Sequence, residues 1–69
     1  MEFKLEGEEF ITLQSLLKAA GLTGSGGEAK VAITGGNVKV DGETEIRRGK
    51  KIRAGQVVFF ADKEIKIVA

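Results

Sequence analysis

The chain contains no Cys, His, Trp, Tyr or Pro. Losing Cys and His together removes disulfides, thiolate nucleophiles, imidazole bases and the usual zinc ligands. Such a chain has no need of an oxidising compartment. No Pro-rich linker, internal repeat or low-complexity segment divides it. No apolar run is long enough to span a bilayer, and the N-terminus lacks a signal-peptide pattern. A cytoplasmic protein with no membrane partner is therefore expected. Four Phe are the only aromatics. Without Tyr or Trp, stacking recognition of single strands has little to stand on, and the Phe residues read as core.

What is present fits one small globule. Sixty-nine residues make a single domain, 1–69, with a modest core. Hydrophobic content of 42% with both signs of charge argues for folding over disorder. The net charge of +1 hides a bipolar chain. Glu2, Glu6, Glu8 and Glu9 crowd the start, whereas RRGKKIR at 47–53 carries Arg47, Arg48, Lys50, Lys51 and Arg53 with no acid. The acidic residues have no nucleophile or metal cluster beside them, so they read as a solvated strand and turn. A non-catalytic chain with no cofactor and no metal is the expectation. The basic run is either a solvated turn or a polyanion contact.

Local signals place the elements. FKL at 3–5 alternates like an edge strand. Thr12 is a candidate N-cap, followed by Leu13, Leu16, Leu17 and Ala20 at helical spacing. Ile11 and Leu16 form a hydrophobic staple, and Gly21-Leu22 suits a Schellman ending. Gln14, Ser15 and Lys18 fall on the wet side. A second helix is predicted over 26–34, with Ala29, Ala32 and Ile33 as its apolar stripe and Gly35-Gly36 as its stop. So short a link makes the helices an angled pair.

The period then switches to two. Val38 and Val40 face one side, and Asp41-Gly42 signals a hairpin. A two-residue loop would oppose Val40 to Glu43, whereas a three-residue loop opposes Val40 to Thr44 and Val38 to Ile46. The apolar pairing favours the second. After the basic run come a turn at Ala54-Gly55, a largely buried strand QVVFFA, and EIKIV as its antiparallel partner. The class is α+β: two short packed helices against a small antiparallel sheet.

GSGGEAK at 24–30 poses a separate question. Ser25 with Glu28 is a capping box, yet Gly26 and Gly27 would open the helix with poor helix formers. Two readings stand. Either the glycines let the helices pack tightly, or they leave the backbone N–H groups open to a phosphate. The Walker pattern is absent, because the glycines run into Glu-Ala-Lys, and GLTGSG lacks the dinucleotide setting.

From Leu16 to Val58 the order of motifs is helix ending in G-L, S-x-x-x-A-basic, G-x-V-x-V-x-G, and a basic segment before G-x-V. This order resembles the RNA-binding domain named after small-subunit ribosomal protein S-four, and G-G-x-A-K with an R-R-G-K run is similar to its small stand-alone bacterial members. The resemblance implies two helices in an L-shaped element, the alpha-L motif, and a structured RNA partner of the ribosomal or transfer RNA class. It aligns Lys30 with the family's basic residue on the second helix, and Val38, Val40 and Gly42 with its hairpin. Gly26 stands where many members have Arg. The expected RNA-binding residues are Lys30, which the resemblance supplies, and Lys18, Gly26, Gly27, Arg47, Arg48, Lys50, Lys51 and Arg53, which the helix ends and the basic run supply. The alternative is a protein-interaction adaptor whose basic loop meets an acidic surface. For either role a monomer would serve.

Overall fold

The computed structural model describes all residues, 1–69. Two helices cover one side of a twisted sheet, with the basic segment strapped across the start of the first helix. The elements in chain order are β1 (Glu2–Lys4), β2 (Ile11–Thr12), α1 (Leu13–Ala19), α2 (Gly26–Thr34), β3 (Val38–Val40), β4 (Glu43–Thr44), β5 (Lys51–Ile52), β6 (Val57–Phe60) and β7 (Lys63–Val68).

The helices end where local chemistry ends them. Thr12 Oγ1 accepts from Ser15 N–H, capping α1. At its far end Leu22 N–H donates to Leu17 O (3.0 Å) and Gly21 N–H to Lys18 O (3.1 Å). That is the Schellman pair, made possible by Gly21 at φ +74°. Helix α2 closes identically: Asn37 N–H donates to Ala32 O, Gly36 N–H to Ile33 O, and Gly36 has φ +80°. The predicted bounds of both helices hold because caps are local and need no tertiary context.

The main sheet runs β1-β7-β6-β3-β4. Its β4-β3-β6-β7 portion is antiparallel, and β1 joins β7 in parallel, which brings the first and last strands together. A separate ribbon pairs β2 with β5. One core fills the space between sheet and helices. Leu13, Leu16 and Leu17 of α1 and Ala29 and Ile33 of α2 meet Val38, Val58, Ile65 and Ile67 of the sheet, all essentially fully buried. No helix is long and apolar enough to cross a membrane.

The hairpin takes the register that the apolar argument disfavoured. Val40 opposes Glu43 and Lys39 opposes Thr44 across a two-residue loop. Asp41 (φ +51°) and Gly42 (φ +86°) both adopt positive φ, the type I′ turn that matches strand twist. The turn prevails because β4 is an exposed edge that contributes nothing to the core. Val38 and Val40 gain their apolar partners from β6 instead, opposite Phe60 and Val58. Asp41 also anchors the turn: its carboxylate accepts from Val57 N–H and Gln56 Nε2, both at 3.0 Å. The Val57 N–H bond foremost lowers its pKa. Gly42→Ala forces a methyl group into left-handed backbone and lowers stability by about 1–2 kcal/mol. A denaturant titration with an unchanged m-value checks this.

Strand β6 is less buried than its composition suggests. Only Val58 is fully buried, and Phe59 is 43% exposed on the sheet's outer face, in register between Lys39 and Glu64. Alternation explains it: Phe59 points away from the side that packs on the helices.

Candidate nucleic-acid interface

Gln14 is the residue on which the candidate interface turns. Its backbone N–H donates to Arg48 O at 3.0 Å, and its side-chain Nε2 donates to Gly26 O at 2.8 Å. One residue therefore ties α1, the basic segment and the first turn of α2 together. Residues four apart share a helix face, so Lys18 continues the row that starts at Gln14, and Lys30 continues the row that starts at Gly26. Lys18, Lys30 and the Arg48 backbone thus radiate from one junction. Helical spacing places Gln14 on the wet side. It is half-buried instead, because the approach of α2 covers it.

Four of the five cations of the basic segment fall into two groups. Arg47 pairs with Glu45, its Nε and Nη2 donating to the two carboxylate oxygens at 3.0 Å each. Those hydrogen bonds hold the Glu45 carboxyl down at about 2 and raise the Arg47 pKa. Lys50 lines the same cleft of about 320 Å³, beside Asp41, Glu43 and Glu45. Arg47 and Lys50 thus face acids of their own chain. On the other side, Lys51 and Arg53 alternate with the buried Ile52 and lie over the Phe10 ring, at 4.9 and 5.5 Å from its centroid. Arg47–Glu45 is the chain's one ion pair. Lys18, Lys30, Arg48, Lys51 and Arg53 have no carboxylate partner.

The strap that positions these bases is backbone chemistry. Leu13 N–H donates to Lys50 O, and Gln14 N–H to Arg48 O. The first two donors of α1, which no intrahelical carbonyl can reach, are satisfied by the basic segment. The basic run is accordingly part strand and part turn, fixed at both ends.

A pH measurement tests the division. With its pKa depressed, Glu45 contributes stability that is fully present above its ordinary value of 4.5 and lost only as pH falls through about 2. Carbon-detected NMR should find the Glu45 carboxyl titrating near 2. In Arg47→Ala the midpoint should rise toward 4.5.

The two glycines of α2 differ in their surroundings. A Cβ at Gly26 would lie 3.3 Å from Gln14 Nε2, so Gly26 serves the helix–helix contact. At Gly27 a Cβ would meet nothing closer than Ser25 Oγ at 3.8 Å. Ser25 Oγ accepts from Glu28 N–H, and the Glu28 carboxylate accepts from Gly24 N–H at 2.7 Å. The Gly26 and Gly27 amides find no acceptor within the chain. They remain donors at the positive end of a nine-residue helix. No three acidic side chains converge to hold a metal ion.

The aromatic assignments change with the structure. Phe3 and Phe60 pack against the core, but Phe59 is exposed and Phe10 is half-buried beneath two cations. Neither is core. No spacing in the sequence signals the Phe10 contact, which arises from the β2–β5 pairing.

Two angled helices laid on a mixed sheet, with a basic strap across their junction, define a small α+β domain of the helix-pair type. The chain belongs to the S4 domain family, whose profile matches residues 3–68. It is 46% identical over 67 residues to YbcJ of Escherichia coli strain K12, covering 97% of this chain and 96% of that protein. YbcJ of Shigella flexneri matches to the same extent. The solution structure of E. coli YbcJ, which revealed an αL motif involved in RNA binding, superposes with a TM-score of 0.76 at 46% identity. The superposition covers 99% of this chain and 86% of that one.

Proposed function

We propose that this protein binds structured RNA of the ribosomal or transfer RNA class and performs no chemistry on it. The observation that carries this reading is the Gln14 junction, from which Lys18, Lys30 and Arg48 extend free of any ion pair, with Lys51 and Arg53 further along the same strap. Unpaired cations held by a folded frame match a phosphate backbone, whose charges recur along a fixed path. The S4 family and the RNA-binding relative support the same reading. Lys18, Lys30 and Arg48 are assigned to phosphates near the junction, with the Gly26 and Gly27 amides as neutral donors beside them. Arg47 and Lys50 are assigned lesser roles, because Glu45 and its neighbours already oppose their charge.

Protein purified at low salt should carry RNA that ribonuclease or high salt removes. A protein-interaction adaptor would carry none, and would retain its partner after ribonuclease treatment.

Gly27 offers a sharper check on the backbone contact. Gly27→Ala should leave the melting temperature unchanged or slightly raised, because the added methyl meets open space and Ala favours the helix. RNA affinity should nevertheless fall severalfold, as the methyl covers the free amides. Undiminished affinity in a folded Gly27→Ala protein would remove the helix N-terminus from the interface.

A further inference from the structure

The pair of cations on Phe10 has a neighbour that phosphate contacts alone do not use. Phe10 also walls a cleft of about 390 Å³ whose apolar lining is completed by Phe3, Leu5 and Ile11. Glu6 and Glu8 line the same cleft. We propose that Phe10, Lys51 and Arg53 with this cleft form a subsite for one unstacked nucleotide. The inference rests on the RNA-binding reading and adds base recognition to what is otherwise backbone recognition.

Each part of the nucleotide has a matching feature. Lys51 Nζ and the Arg53 guanidinium both lie within 5.5 Å of one ring centroid, and no carboxylate pairs with either. Two cations gathered on one ring with no acid between them raise the local positive potential, and a phosphate there meets both charges. The ring fixes both side chains through cation–π attraction and lowers the ordering cost of binding. Beside it, the apolar cleft offers a base the burial that an aromatic ring seeks. The carboxylates of Glu6 and Glu8 repel phosphate and accept hydrogen bonds from exocyclic amino groups. They therefore admit a base in preference to backbone, and adenine or cytosine in preference to uracil.

The experiment uses one RNA hairpin in two forms, fully paired and with a single unpaired adenine in the stem, measured by fluorescence anisotropy. Wild-type protein should bind the bulged form about tenfold more tightly, from the worth of one stacked base less its release from the helix. Phe10→Leu keeps apolar bulk but removes the π face, and should bind both forms equally. Phe10→Tyr should restore the preference. Equal affinity of the wild type for the two hairpins, or a preference that survives Phe10→Leu, overturns the subsite. If both hairpins still bind with normal salt dependence, the backbone reading stands without it. Failure to bind either hairpin overturns both.

Discussion

Reversing Lys30 and Arg48 together to Glu should lower affinity for folded RNA by about a hundredfold. The two residues reach the Gln14 junction from different elements, Lys30 along the Gly26 row of α2 and Arg48 through the strap. Each loses a charge-assisted contact worth about 1.5 kcal/mol or more, and two such losses give roughly that factor. The fold should not notice. Both side chains are exposed and neither forms an ion pair, so the melting temperature and circular dichroism should match wild type. Arg47→Glu with Lys50→Glu should cost less, since those cations already face Glu45, Asp41 and Glu43. An equal effect of the two double reversals would mean that the whole basic run acts as one diffuse charge. In that case the division described above has no functional weight.

The second large effect concerns the frame. Ile33→Ala should destabilise the domain by about 3–4 kcal/mol, the cost of removing a fully buried branched side chain and leaving a cavity. Ile33 lies in the core shared by α2, α1 and the sheet, where collapse around the void is restricted. A domain of this length holds only about 3–10 kcal/mol in total. The variant should be partly unfolded at physiological temperature. RNA affinity would fall with it for want of a junction, and saturating RNA should recover part of the lost stability by linkage. Chemical denaturation of the two proteins side by side checks this. A loss below about 1 kcal/mol would show that the α2 contact is looser than its burial indicates.

These expectations rest on features of unequal visibility in the sequence. Both helices were legible to their ends, because Thr12, Ser25, Gly21 and Gly36 act within a single turn of their own backbone. The apolar face of α2 was legible for the same reason. The sheet was less so. The hairpin register followed turn chemistry, and the missing apolar partners of Val38 and Val40 arrived from β6, far downstream in the chain, as Phe60 and Val58. The β2–β5 ribbon has two residues per strand, too few to show any period. Yet it decides which way the basic segment faces. For that reason the candidate cations were legible as residues but not as two groups with different partners. Gln14 gave no signal at all. A glutamine after the first leucine of a helix reads as solvent-facing until a second helix closes over it.

The central claim is that a defined set of phosphate contacts holds the RNA, and its salt dependence tests that most directly. Affinity of the wild-type protein for a folded RNA should be measured across a range of monovalent salt. Five cations and the helix N-terminus predict a slope of log affinity against log salt of about −3 to −5, from roughly −0.7 to −0.9 per contact. Lys30→Ala should reduce that slope by about one unit and weaken unrelated folded RNAs alike, because a phosphate contact reads no base. A slope near zero, or one unaltered by the loss of Lys30, would contradict the account.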